Sequence, residues 1–308
     1  MLFPSTPFPL CPFTPWLLPL YPCRSFGLKY ANACVLTSQS IGGFSMKRRD
    51  FLVASGTGIS SLSYAVSGMA QGQKNDRQLL ELRLYRMLPG DKKKVLSEFL
   101  ANALIPACSR LGVGPIGVFE PVHGVDSLTL YVLLPHKSLE SVMTAPARLE
   151  TDAEFQKAAE SFYKLPSSDP PYMRVESSLM LAFEQAPRVE VPSSVAGKSG
   201  RIFEMRIYES HCEKAARRKI EMFNSGGELA IFRKTGLHPV FFGETLIGPR
   251  IPNLTYMLAF PDWAAREKAW AAFREDPAWK KLSAEPYYAD TVSNITDLIL
   301  RPTSYSQV

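Results

Sequence analysis

Histidine and cysteine are scarce in this chain: four and five respectively in 308 residues. No pair or cluster of them has zinc-ligand spacing, which argues against a structural or catalytic zinc site. Cys11, Cys23 and Cys34 sit near the N-terminus, so only Cys108 and Cys212 remain for the body of the chain. One disulfide between those two or two separate thiols both stay open. A Ser-His-Asp set, a P-loop and a dinucleotide-binding glycine fingerprint are also missing. No cofactor and no metal are therefore expected. An excess of one charge is missing too, once the leader is set aside. The formal charge is +6. Residues 1–45 hold Arg24 and Lys29 and no acid, and residues 46–70 hold Lys47, Arg48 and Arg49 against Asp50. What remains over residues 71–308 is nearly balanced, which gives no footprint for nucleic-acid binding.

What is present is an internal repeat. Glu81-x-Arg83-x-Tyr85 returns as Glu204-x-Arg206-x-Tyr208, an offset of 123. Gly112-x-x-Pro115 returns as Gly236-x-x-Pro239, and Asp152-x-x-Phe155-x-Lys157 as Asp276-x-x-Trp279-x-Lys281, both at an offset of 124. Leu128-Thr129 aligns with Leu254-Thr255 at 126. The period is far longer than the roughly 20–50 residues of repeat arrays, so two copies of one unit are expected rather than a solenoid.

Each copy reads as strand, helix, strand, strand, helix, strand. Leu79 to Met87 alternates as a half-buried strand. Gly90-Asp91 opens a helix whose Val95, Leu96, Phe99, Leu100, Ala103 and Leu104 form one stripe. Ile116 to Val122 and Leu128 to Leu134 are the next strands, around a turn at His123 to Ser127. A second helix covers about 138–163 and is expected to break near Pro146, and Val175 to Phe183 closes the copy. In the second copy the strands are Ile202 to Glu209, Val240 to Leu246, Leu254 to Phe260 and Asn294 to Arg301, with a helix interrupted at Gly226-Gly227. The fold class expected is α+β, two tandem ferredoxin-like (βαββαβ) units.

The N-terminal region reads as an address. Lys47-Arg48-Arg49-Asp50-Phe51-Leu52, a short apolar stretch and Gly68-Met69-Ala70 have the layout of a twin-arginine export signal, removed near Gln71. The stretch is too short and too polar for a stable membrane anchor. Seven prolines fall in the first 22 residues, without periodicity. Residues 1–45 are thus read as a disordered extension or a misassigned start, with translation beginning at Met46. The domain reading is 46–70 signal, 71–185 first unit, 186–200 linker and 201–308 second unit. The mature chain is expected in the periplasm or outside the cell.

Glu-x-Arg-x-Tyr in both copies, the Gly-x-x-Pro entry to the second strand, and Trp270-Ala-Ala-Phe273-Arg-Glu-Asp276-Pro277-Ala-Trp279-Lys280 resemble the NIPSNAP family over about residues 79–302. The first copy departs from the motif, with Phe155 for Trp279 and Ala153 for Pro277. The resemblance implies a dimeric α+β barrel, in which two sheets pair face to face with helices outside. Here one chain would supply both sheets as a pseudo-dimer. The family has no settled chemistry.

Strand alternation then suggests a site. If helices cover Leu80, Leu82, Leu84, Phe203, Met205 and Ile207, then Glu81, Arg83, Tyr85, Glu204, Arg206 and Tyr208 point into the barrel. Charges seldom sit inside unless paired or liganded. Either Glu81 pairs with Arg83 or Arg206 as a structural network, or the arginines face an anionic or carbonyl ligand. His238, at the mouth of a strand, is the one histidine considered beside them, as the axial ligand a haem would need. His123, His136 and His211 fall in a turn or at element ends. Three functions remain: a small-ligand or interaction module; a cofactor-independent oxygenase or isomerase acting on an aromatic or quinone-like substrate; or a partner-binding protein. Association into a homo-oligomer stays open.

Overall fold

A computed structural model describes residues 76–122 and 128–308. The signal and extension readings, and the turn with His123, lie outside the described residues. The elements run β1 (Leu79–Arg86), α1 (Lys92–Phe99), a π-helical segment (Leu100–Leu104), α2 (Ile105–Arg110), β2 (Gly117–Pro121), β3 (Thr129–His136), α3 (Leu139–Thr151), α4 (Ala153–Tyr163) and β4 (Arg174–Ala182). They continue with β5 (Ile202–Glu209), α5 (Glu213–Phe223), α6 (Glu228–Lys234), β6 (His238–Ile247), β7 (Asn253–Phe260), α7 (Trp263–Glu275), α8 (Pro277–Ser283), a short 3-10 turn (Pro286–Tyr288) and β8 (Asn294–Pro302).

All eight strands close into one antiparallel barrel in the order β1-β3-β2-β8-β5-β7-β6-β4. Four come from each half of the chain, and the seams between halves are β2–β8 and β4–β6. Within the halves, β1 pairs β3 so that Tyr85 faces Leu130, and β5 pairs β7 so that Tyr208 faces Leu254. Leu130, not Leu128, is therefore the positional counterpart of Leu254. The β2–β8 seam has only three residue pairs. Beyond it, Gln307 and Ser306 satisfy the Ile116 and Val118 amides at 2.7 and 3.0 Å.

Three apolar clusters divide the molecule. The barrel interior takes Leu80, Leu82, Tyr131, Leu133, Met180, Phe203, Met205, Phe241 and Met257. It is tight where β4 meets β6: a Cβ on Gly243 would stand 2.9 Å from Met180 Cβ, so only glycine fits there. The other two clusters lie between sheet and helices, one in each half.

Two irregularities mark the helical layer of the N-terminal half. Ile105 donates to Leu100 O, the i→i+5 bond of the π segment, directly before Pro106. Proline has no N–H to carry the α pattern onward. The second helix breaks at Asp152, not at Pro146, which sits inside α3. The Asp152 backbone is extended and its carboxylate accepts from Phe155 N at 2.9 Å. Asp276 does the same to Ala278 and Trp279 at 2.8 and 3.4 Å. A capping aspartate starts a new helix, while a proline can ride within one at the cost of a bond. Among the described residues no helix is long and apolar enough to cross a membrane.

Candidate functional site

The structure reverses the faces expected from strand alternation. Leu80, Leu82, Phe203 and Met205 fill the barrel, and Glu81, Arg83, Tyr85, Glu204, Arg206 and Tyr208 stand on the helix side. Arg83 cannot meet Arg206 or a shared ligand inside the barrel, because each lies outside it in its own half. The reason is desolvation. The packed part of the barrel interior is apolar, and a charge there would forfeit its hydration without gaining a partner. On the helix side, gaps between helices let Arg83 and Arg206 keep side-chain exposures of 26% and 20%.

In the N-terminal half these residues border a cavity of about 260 Å³ between the sheet and helices α1 to α4. Arg83 forks onto Glu81, Nε to Oε1 at 2.6 Å and Nη2 to Oε2 at 2.9 Å. Ser177 donates to the same carboxylate at 2.9 Å. Burial pushes the Glu81 carboxyl up, but His136, Arg83 and Ser177 outweigh it and bring it down to about 2. Glu81 is thus a fixed anion, and too weak a base to take a carbon-bound proton near neutral pH. His136 is buried, with Nδ1 3.0 Å from Ser141 Oγ. Its Nε2 stands 3.6 Å from Glu81 Oε2 and has no hydrogen-bond partner. Burial raises the Tyr85 hydroxyl, and the Arg83 charge pulls against that. Burial also holds the Cys108 thiol up at about 11, so this thiol is not an activated nucleophile. Cys108 and Cys212 are both free. The remaining lining mixes aromatic residues, Phe99, Phe155, Phe162, Tyr163 and Tyr172, with aliphatic ones from α3 and β3. Phe99 stacks on Phe162 at 3.9 Å, and Tyr172 meets Tyr85 edge-on at 5.4 Å.

The C-terminal half has the same strand motif, but there Glu204, Arg206 and Trp270 border a wider, more open hollow of about 520 Å³ walled by Arg266, Glu267 and Arg274. Glu204, fully buried, accepts from Arg266 at 2.8 and 3.0 Å and from the Trp270 indole at 2.7 Å. Arg206 lies over Trp270 at 5.0 Å and over Tyr208 at 5.6 Å, with Asp297 3.5 Å away. Burial and the neighbouring Glu204 push Asp297 up to about 6, against the pull of Arg206. Tyr208 and Tyr256 share a hydroxyl contact at 3.0 Å, and Lys219 meets Glu228 in a buried pair at 2.7 Å.

Four positions differ in bulk between the halves. The strand registers set Val132 against Arg83 where Tyr256 is set against Arg206, and His136 against Leu79 where Phe260 is set against Ile202. Six residues before the capping aspartates stand Pro146 and Trp270, and ten before them Val142 and Arg266. Three large groups in the C-terminal half are thus exchanged for small ones, and Val142 and Pro146 line the cavity that results.

His238 opens β6 half-buried, and burial lowers its imidazole; it does not line the N-terminal cavity. Sequence reasoning missed His136, Tyr163 and Tyr172. Their one signal is positional: His136 ends a strand on the same face as Leu134 and Val132. Among the described residues no three His, Cys, Asp or Glu side chains are grouped to hold a metal.

The NIPSNAP family model matches residues 203–307. No curated protein matches the chain. Among solved structures, a monooxygenase candidate from Lactobacillus acidophilus NCFM aligns at 8% identity and a TM-score of 0.50, over 73% of this chain and 94% of that one. A NIPSNAP-like domain protein from Burkholderia xenovorans aligns at 24% identity over 34% of this chain and 88% of its own, with a TM-score of 0.32. An anthrone oxidase-like protein aligns at 11% identity and a TM-score of 0.43, over 75% and 93%. At these identities the likeness concerns fold. The chain has a mixed α+β fold around a closed eight-stranded antiparallel barrel, similar to that of the Lactobacillus protein.

Proposed function

We propose that the N-terminal cavity binds a flat aromatic molecule bearing a carbonyl or hydroxyl oxygen, within an exported, two-unit NIPSNAP-like chain. One observation carries this: the N-terminal cavity runs under α1 to α4 and is lined by Tyr85 and five further aromatic residues, whereas the hollow at Glu204 and Arg206 has Trp270 as its one aromatic residue and is otherwise mostly charged, with Arg266, Glu267 and Arg274. The aromatic part of the lining, Phe99, Phe155, Phe162, Tyr163 and Tyr172, suits a flat ring. Arg83, with its charge fixed by Glu81, and the Tyr85 hydroxyl offer donors to an oxygen on that ring. The two-unit reading rests on the repeated order of elements and of strand pairing. Export rests on Arg48-Arg49 and the residues after them.

The alternative is catalysis in the same cavity. Donors around an oxygen stabilise an enolate or phenolate as it forms. An isomerase would return the proton to another carbon. An oxygenase would use dioxygen to convert a ring-flanked CH2 to a ketone, the second oxygen atom leaving as water. The low Glu81 carboxyl favours binding over proton abstraction, since a base held at about 2 accepts protons poorly.

Calorimetric titration with 1-naphthol and with anthrone tests the reading. Binding is expected at one site, weakened at least about tenfold by Arg83→Gln and abolished by Ala145→Trp, which fills the cavity. No binding of either compound, or binding indifferent to Ala145→Trp, would overturn it. Oxygen uptake with anthrone separates the catalytic alternative from binding alone.

A further inference from the structure

The barrel itself is a cup. One end is stopped by Val195, from the segment between β4 and β5, and by Val308, both buried in the interior cluster. The opposite end, where β1 and β5 finish and β4, β7 and β8 begin, is open. A cavity of about 390 Å³ enters there, within the roughly 300–1,000 Å³ of small-molecule sites. It is separate from the cavity under α1 to α4 because the sheet lies between them.

Its floor is apolar: Leu82, Met180, Met205, Ile207 and Leu298. Hydrogen-bonding side chains form a ring above it, from Ser178, Thr245, Asn253, Thr255 and Thr296. Three charged residues line the mouth. Arg86 and Glu176 bind each other at 2.8 Å, which leaves Arg250. It rides the loop between β6 and β7 with a left-handed backbone, φ 58°, a conformation that persists in a non-glycine residue only where its surroundings hold it. Asn253 holds it here. Its Nδ2 donates to the carbonyls of Pro249 and Arg250, both at 3.0 Å, and its Oδ1 takes the Thr245 hydroxyl at 2.6 Å. The Arg250 guanidinium is only loosely engaged, 3.3 Å from Thr296 Oγ1 and 3.7 Å from Glu209 Oε1. Glu209 is meanwhile bonded to Asn294 at 2.9 Å.

We infer that this cup is a second ligand site, for a molecule with an apolar body and a single carboxylate. The body lies on the leucine and methionine floor, which methionine adapts to irregular shapes. The carboxylate meets the Arg250 fork and the hydroxyl ring. A single charge matches the mouth best, because the second arginine there, Arg86, is already paired with Glu176.

Calorimetry on the full chain with sodium octanoate and with 1-octanol tests this. One octanoate is expected per chain. Arg250→Gln weakens octanoate at least about tenfold and leaves octanol nearly unchanged. Thr296→Trp, at a half-exposed rim position, blocks both, and Ala145→Trp in the other cavity blocks neither. A readout that needs no substitution is methyl NMR of the methionines. Octanoate shifts Met180 and Met205 and leaves Met222, buried on α5, unmoved. Absence of octanoate binding, binding that survives Thr296→Trp, or shifts confined to Met143 on α3 would overturn the site.

Discussion

At the scale of residues, the Glu81–Arg83 fork is the feature whose removal is most readily measured. Glu81→Gln takes away a charged acceptor and leaves a largely buried guanidinium without its anion. A loss of about 1.5–3 kcal/mol is expected from urea unfolding. Two carboxylates give opposite pH signatures. Glu81 falls from 4.5 to about 2 on folding. Its contribution is complete above 4.5 and is lost as the pH drops through that interval. Asp297 rises from 3.8 to about 6. It binds its proton more tightly in the folded state, so its contribution declines as the pH rises from 3.8 towards 6. Asp297→Asn should therefore remove a downward slope of melting temperature across that interval, while wild type retains it.

At the scale of elements, the repeated aspartate motif is a helix start. Asp276 ends α7 and caps α8, and Lys234 also binds it, at 2.7 Å. Asp276→Ala should raise amide exchange at Ala278 and Trp279 first, with α7 protected as before. Uniform exchange across both helices would contradict this local account. The break falls at Asp152 rather than at the expected Pro146 because a proline inside a helix forfeits one bond, whereas Asp152 gains one by leaving helical geometry. Pro146 has a different effect: it stands six residues before the cap, where the other half has Trp270, and so leaves space.

At the scale of the molecule, two halves with one strand order have diverged in their interiors. Tyr256 is fully buried, stacked on Phe242 at 4.7 Å, and bonded to Tyr208. Tyr256→Val should cost about 3 kcal/mol in chemical unfolding, by analogy with other large-to-small changes in cores. The converse, Val142→Phe at a residue that lines the N-terminal cavity, should fill it and eliminate 1-naphthol binding at a smaller stability cost, since the space already exists.

Much of the architecture was legible along the chain. The alternation of Leu80, Leu82 and Leu84 with Glu81, Arg83 and Tyr85, the Gly226-Gly227 interruption, and strands at Ile202–Glu209 and Asn294–Arg301 follow from local pattern, because backbone hydrogen bonding imposes periods of 2 and 3.6 on any sequence that buries one face. Local pattern cannot say which face goes where. An alternating strand offers two faces, and the choice between barrel and helix side depends on which enclosure supplies partners for the charges, as Arg83 does for Glu81 and Arg266 and Trp270 for Glu204. That is a property of eight strands and the helices together. The cavity is likewise a tertiary outcome. It arises where Val142 and Pro146 of α3 come to lie with Glu81, Arg83 and Tyr85 of β1 and with Tyr172, distant from one another in sequence, and no single position records that sum.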